Sequence, residues 1–383
     1  MTSLKELFLL DPEIIFLNHG SFGACPRPVF EVYQAWQREL ERQPVAFLGR
    51  NANALMAEAR SKLAEYLGVA SDEIVYFSNP TTAINMVVRS LDLKPGNEIL
   101  TSDHEYGAMD RTWNFYCRRT GAKYIHHEIS LPVSSQAEFE ENFWSGVTER
   151  TRVIFLSHIT SPTALIFPLE EICRRARQAG LLTIIDGAHA PGQIQLNLHE
   201  LGADIYTGAC HKWLMAPKGA AFIYTRPEVQ AWLDPLVVSW GYESDIPGAS
   251  QFIDYHEWQG TRDISAFLSV PAAIEFQSQY NWEPVRQGCH ELARQTRQQI
   301  NALTGLPAIC PDDGWFNQMM TVRLPENTDL DGLKSRLLED YHIELPMIHW
   351  NESKFMRISF QGYNTQADSD ALLQALKELI DWK

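Results

Sequence analysis

An α/β fold built on a mostly parallel sheet is what this sequence predicts, and three observations carry the prediction. Short apolar runs end in turns bearing Gly, Ser or Asp, as in IVYFSNP from Ile74 and TIIDGAH from Thr183. Helical patterns follow such runs, so strand and helix alternate along the chain. The run VIFL from Val153 to Leu156 is continuously apolar, as a strand covered on both faces is, whereas a half-exposed strand alternates.

Length and composition narrow the classes. A chain of 383 residues accommodates one large α/β domain, expected at 15–265, and a smaller α+β domain made of 1–14 and 266–383. With 45% hydrophobic and 21% charged residues it has the composition of a soluble globule. A net charge of −16 without any basic block argues against nucleic acid as a partner. The six cysteines, at 25, 117, 173, 210, 289 and 310, stand singly, so neither a disulfide framework nor a zinc site is expected, and no metal. Asp11, Pro12 and Glu13 interrupt the apolar N-terminus, and no apolar run reaches the ~18 residues of a membrane span, so a cytoplasmic protein without membrane contact is expected.

The elements follow in order. IIFLNHGSFG, Ile14 to Gly23, reads as an extended segment closing in Gly-punctuated turns around Asn18, His19 and Gly20, either a plain entry turn or a loop touching substrate. Helical patterns come next at Pro28 to Arg42 and Asn53 to Leu67, the second stopped by Gly68, with PVAFLGR and its Arg50 between them. Ile74 to Leu91 is strand, turn and helix in quick succession, with Thr81 and Thr82 where the helix begins. That position is either an ordinary cap or, through free backbone N–H groups and the helix dipole, an anion site. A strand near Glu98 to Thr101 leads into SDHEYGAMDRTW. The buried strand ending near His158 leads through a polar turn holding Ser161 to a helix at Leu169 to Gly180. His158 is either a ligand or a satisfied structural histidine.

The stretch from Thr183 to Gly219 carries the chemistry. One strand ends at Asp186, a second spans Asp204 to Thr207, and the dipeptide His211-Lys212 follows it. Ligands bind beyond the carboxyl ends of strands in open α/β sheets, so an aspartate and a lysine delivered there can face one ligand. Pyridoxal phosphate chemistry needs that pair: a lysine forms a Schiff base with the cofactor aldehyde, and a carboxylate keeps the pyridine nitrogen protonated. Lys212 and Asp186 are the candidates.

DGAHAPG and TGACHKWLMAPKG resemble the class V aminotransferase family of fold-type I pyridoxal phosphate enzymes, and are most similar to its isopenicillin N epimerase-like branch. The resemblance runs from LNHGSFG near the start to MRISFQGYNT near the end. It implies a seven-stranded, mostly parallel sheet between helices with a smaller α+β C-terminal domain. It implies cofactor phosphate at Thr81, Thr82 and His211, and a flat side chain over the ring from Tyr106, with His104 the runner-up. His189 corresponds to a position near the cofactor's phenolic oxygen, from which an imidazole can shuttle protons. Ser161 stands where many relatives carry a cofactor-contacting asparagine. Ala209 replaces a phosphate-binding serine of the desulfurases, leaving Thr207 or backbone groups to substitute. Gly260-Thr261 implies a homodimer whose threonine reaches the partner's phosphate, and Arg357 implies a clamp on the substrate α-carboxylate. In that branch PVAFLGR resembles a substrate-facing loop, which makes Arg50 a candidate for anion contact beside the alternative of a plain exposed arginine, while Asn18, His19 and Gly20 are the candidates for substrate contact in the entry segment. The segment LPMIHWNESKF lacks the nucleophilic cysteine of desulfurases, which disfavours persulfide chemistry. The implied activity is that of an epimerase or C–S lyase acting on an amino acid or peptide-like amine. A class V aminotransferase, or a fold retained for binding alone, are the alternatives.

Overall fold

The computed structural model describes residues 4–380, so of the expected smaller domain residues 1–3 and 381–383 lie outside it. Its strands are β1 (Ile15–Phe16), β2 (Ile74–Phe77), β3 (Glu98–Ser102), β4 (Lys123–His127), β5 (Thr151–Ser157), β6 (Leu182–Gly187), β7 (Ile205–Ala209), β8 (Ala221–Thr225), β9 (Met319–Arg323), β10 (Ile343–Glu344), β11 (Met347–Trp350) and β12 (Ser353–Ser359). Seven of them form one sheet in the order β2-β8-β7-β6-β5-β3-β4, with β8 alone antiparallel to its neighbours. This is the mostly parallel seven-stranded sheet expected. Its central strands are apolar without alternation because both faces are covered; Val153 to Leu156 are all buried.

The helices that flank this sheet start and stop on local signals. Asn79 caps the helix Pro80–Ser90 by accepting the Thr82 N–H, and Pro80 opens its first turn. Gly121 and Gly180 end the helices Gly107–Thr120 and Glu170–Ala179 in the left-handed conformation. The parallel register aligns the strand ends: Ser157 of β5 lies opposite Asp186 of β6, and Asp186 opposite Thr207 of β7. The residues just beyond these ends form the ligand-binding crevice of such sheets.

A second, three-stranded antiparallel sheet runs β11-β12-β9, and β1 pairs in parallel with β10. Helices Trp282–Thr304, Leu330–Tyr341 and Gln366–Leu379 accompany these strands. The strand β11 lies in LPMIHWNESKF, where the resemblance to desulfurases implies a loop ahead of the next strand. It forms because Asn351 and Glu352, both at positive φ, close a two-residue turn that returns the chain into β12. PVAFLGR also differs from expectation: Pro44–Ala46 and Phe47–Asn51 are helical, since Phe47 is buried against Trp36. No helix of the described residues is long and apolar enough to cross a membrane, and no group of three or more His, Cys, Asp or Glu among them could hold a metal ion.

Candidate active site

Asp186 ends β6 with its carboxyl buried, and Oδ1 accepts the Ala188 N–H at 3.0 Å. Burial raises its pKa, which that N–H and the nearby Lys212 partly reverse. Lys212 sits in a turn after β7, closed by the Met215 N–H donating to the Lys212 carbonyl at 3.0 Å, with Met215 at φ 65°. Burial first, and the Arg357 charge second, lower the Lys212 amine to about 7.

The neighbouring imidazole agrees with a neutral amine. Trp213 donates its indole N–H to His189 Nδ1 at 3.3 Å, so the single proton of a neutral ring sits on Nε2, 3.1 Å from Lys212 Nζ. A proton there needs an acceptor, which only the uncharged amine provides. Burial holds the His189 pKa well below its ordinary value, and the Lys212 charge acts in the same direction.

These groups line a cavity of about 220 Å³ together with Ser21, Phe22, Asn79, Thr81, Tyr106, Ser157, Ser161 and His211. At one side Thr81 and its helix N-terminus offer donors. His211 donates Nδ1–H to the Ala220 carbonyl at 2.9 Å, which leaves Nε2 as the ring's remaining nitrogen. The buried Arg357 does not itself line the cavity but binds two residues that do, donating Nη1–H to the Ser161 carbonyl at 2.6 Å and Nη2–H to Ser21 Oγ at 3.2 Å. Its Nε has no partner, and among the described residues no carboxylate pairs with it. Burial lowers its pKa to about 10. A buried guanidinium without a counter-ion is costly unless an anion completes it. A larger cavity, about 590 Å³, lies elsewhere, beside the buried Arg60–Glu257 ion pair. Those charges are already matched.

A lysine amine whose charged form is disfavoured, an aspartate with one oxygen open to the cavity and a helix N-terminus suited to phosphate fit pyridoxal phosphate, and the incompletely paired arginine fits a carboxylate beside it. The class-V aminotransferase profile matches residues 25–372. The chain belongs to the class-V aminotransferase family. It is similar to isopenicillin N epimerase of Amycolatopsis lactamdurans, 36% identical over 98% of this chain and 97% of that protein. It also resembles the L-cysteine desulfhydrase of Arabidopsis thaliana, 26% identical over 95% and 87% of the two chains. In three dimensions the apo cysteine desulfurase of Thermococcus onnurineus NA1 superposes with a TM-score of 0.84 at 19% identity, covering 98% of this chain and 97% of that one. The cystine C-S lyase C-DES gives 0.83 at 20%, covering 96% and 98%. The protein is a pyridoxal phosphate enzyme of this family.

Within this class-V enzyme several expected residues stand away from the cavity. His104 is fully buried, with Nδ1 2.7 Å from Thr163 Oγ1, Nε2 2.7 Å from the Ile129 carbonyl, and its ring against Trp350. Tyr106, 47% exposed, is the one of the two that lines the cavity. Thr82 gives its hydroxyl to Asn79 Oδ1 at 3.0 Å, and Thr207 gives its own to the Phe222 carbonyl at 2.7 Å, so neither hydroxyl faces the cavity. Of the two replacements for a serine at Ala209, Thr207 is therefore already engaged.

Asn18 donates to Glu344 at 3.1 Å, and a Cβ on Gly20 would meet Met319 Sδ at 2.6 Å. His19 turns to the Lys212 backbone. From this segment Ser21 and Phe22 line the cavity instead. Arg50 is exposed and lines neither cavity described above, and neither Gly260 nor the exposed Thr261 lines the Lys212 cavity.

Sequence reasoning passed over Asn79, although an asparagine before a proline at a helix start is a legible cap. Glu105, which with Tyr106 matches the Glu-His pair of the family, was given no role of its own. That buried carboxylate accepts from Ser102 Oγ at 2.6 Å and from the Ser157 N–H and Oγ at 2.9 and 2.6 Å, and burial raises its pKa to about 8. No local pattern marks Glu105, because its partners lie on two different strands.

Proposed function

We propose that the protein is an epimerase acting at the α carbon of an amino acid or of a larger molecule bearing a free amino-acid head. The observation that carries this reading is the Lys212 amine, with its pKa lowered to about 7, in the same cavity as residues that hold the incompletely paired Arg357. When bound, pyridoxal phosphate acidifies the α C–H of an amino acid joined to it by drawing electron density into its ring. Arg357 would bind the α-carboxylate, where a planar guanidinium is best suited. Lys212 would take the α proton from one face and pass it to solvent, a solvent proton would be added at the opposite face of the α carbon, and His189, with its proton fixed on Nε2, would hold the amine in place. Asp186 would hold a proton at the pyridine nitrogen, and Tyr106 would cover the ring. Phe22, 73% exposed, and Tyr106 line the cavity while reaching solvent, so a substrate body larger than its reacting head would lie against them. The 36% identity to an isopenicillin N epimerase over nearly the whole chain supports inversion as the outcome.

A C–S lyase is the second reading, favoured by the resemblance to an L-cysteine desulfhydrase. It uses the same base. No cysteine lines the Lys212 cavity, so sulfur would leave as sulfide and not as an enzyme persulfide. The test is a panel of L-amino acids and amino-acid-headed peptides, with D-product, sulfide and keto acid measured together. The D-product is expected in excess of the other two. Sulfide in excess would replace the epimerase by a lyase, and keto acid matched by amine transfer would make the protein an aminotransferase.

We also propose a homodimer with shared sites, in which Thr261 of one chain meets the phosphate held by the other. It is supported by the placement of Thr261 outside its own cavity and by the exposure of Val238, Trp240 and Ile246 in the preceding segment.

A further inference from the structure

The turn that carries Lys212 has no regular secondary structure to hold it, yet its backbone is enclosed. Residues 19–23 pass directly beneath it. Gly23, at φ 70°, comes so close that an added Cβ would lie 2.2 Å from the His211 carbonyl oxygen and 2.9 Å from Lys212 Cα. Lys218 Nζ donates to the Gly23 carbonyl at 2.9 Å, tying the segment from the other side. Above Gly23, His19 is fully buried, with Nε2 3.1 Å from the Lys212 carbonyl and Nδ1 3.0 Å from the Tyr363 hydroxyl. A carbonyl only accepts, so Nε2 carries the ring proton and Nδ1 accepts from Tyr363. Gln361 Nε2 approaches the same His19 nitrogen at 3.4 Å, a longer contact that leaves this assignment in place. Burial lowers His19 to about 3, which keeps the ring neutral with one proton to give. The imidazole also lies 4.9 Å from the Trp213 ring, and Trp213 in turn orients His189.

We propose that His19 is a positioning residue for Lys212: its Nε2–H fixes the Lys212 carbonyl, and with it the direction in which the amine leaves the backbone. The Met215 N–H already accounts for one lone pair of that carbonyl, and His19 fills the second. The same short helical turn, His19–Phe22, bears Ser21, which touches Arg357. One segment therefore sets the spacing between amine and guanidinium. The inference rests on Lys212 being the lysine that joins the cofactor. Misplacement of a reacting group by about 1 Å costs up to ~100-fold in rate, so a carbonyl released from His19 has a measurable consequence.

The experiment compares His19→Gln with His19→Asn. A glutamine amide N–H reaches the place of Nε2, whereas the asparagine amide is one carbon too short, and both are polar and of similar size. Apoenzyme of each is mixed with pyridoxal phosphate, and the rate of forming the covalent link is followed at the visible edge, beside the melting temperature and the split of kcat from KM. Expected are similar melting temperatures, a rate within about twofold of wild type for glutamine, and one about tenfold slower for asparagine, with kcat falling more than KM rises. Equal rates for the two variants, or a wild-type rate for asparagine, overturn the role of His19. Should His19→Asn fail to fold while His19→Gln folds and links slowly, the proposal also falls, because the donor alone did not restore the lysine. Borohydride reduction and peptide mapping on wild type keep the two readings apart. A label on another lysine defeats the Lys212 assignment, whereas a label on Lys212 with indistinguishable variants defeats only the His19 inference.

Discussion

The lysine turn and the segment 234–262 treat their side chains in opposite ways. Around Lys212 the side chains and backbone are enclosed: His189 lies at the amine, Trp213 behind that histidine, His19 on the carbonyl and Gly23 beneath. In the other region Trp240 is 86% and Ile246 88% exposed, and Thr261 lies outside the cavity it is expected to serve. Large exposed apolar side chains in a cluster mark a surface that another molecule covers. Under the dimer proposed above, the enclosed lysine turn is the half of the site that one chain completes by itself, and the exposed segment is the half to which a second copy would contribute.

The largest effect should come from the complete half. Lys212→Ala is expected to abolish visible-edge absorbance and to lower turnover by at least ~1000-fold, with a melting temperature close to wild type, since removing a buried amine relieves desolvation. Absorbance and activity retained in this variant would break the first side of the comparison. Asp186→Asn follows in size. A neutral amide cannot hold the pyridine nitrogen protonated, so cofactor should stay bound while kcat falls by more than about tenfold, equivalent to ~1.4 kcal/mol in the barrier. A smaller loss would deny Asp186 that role.

A change of pH reads the same half through charge. Only the unprotonated amine attacks an aldehyde, and the Lys212 pKa lies near 7 because burial and Arg357 disfavour its charged form. The unprotonated fraction thus grows as pH rises through 7. The rate at which apoenzyme combines with pyridoxal phosphate should increase about tenfold between roughly pH 6 and 8 and then level off. Arg357→Met removes a repelling cation and should move that midpoint upward. A midpoint near the ordinary lysine value in wild type, or no movement in the variant, would show that the amine is not held as described.

How far this site was legible in the sequence depended on whether the signal was local. The central strands were legible because burial on both faces writes an uninterrupted apolar run, as in Val153 to Leu156. The edge strand β4, KYIHH, is only partly buried and leaves no such run, and the hairpin into β12 turns on Asn351-Glu352 without the glycine that usually announces it. Asp186 and Lys212 were legible as ionisable groups placed at strand ends. Which of two nearby residues faces a cavity was not: His104 and Tyr106, two positions apart, differ by a turn of backbone after β3, and Gly20 and Ser21 by one position in a short helix. The hydroxyls of Thr82 and Thr207 were unreadable for another reason. Their partners, Asn79 and the Phe222 carbonyl, are fixed by a cap and by strand pairing, and each hydroxyl is engaged there before a ligand arrives.

The smallest expected effect is the one that decides the second side of the comparison. Thr261→Ala should weaken cofactor binding, and diluting wild type until the dimer separates should release cofactor as well. Neither result alone says which chain's phosphate the threonine meets, but a mixed dimer does. If one chain carries Lys212→Ala and the other Thr261→Ala, a threonine acting on the partner puts both lesions into one site and leaves the other site intact. The mixture, corrected for the parental dimers, should then recover about half of wild-type activity per dimer. At a cofactor concentration low enough to leave the Thr261→Ala dimer empty, a threonine acting on its own chain would damage both sites, one at the lysine and one at the phosphate, and little activity would return. Half-activity supports shared sites; its absence, or a fully active monomer, would mean that the exposed segment around Trp240 serves some purpose other than completing the site.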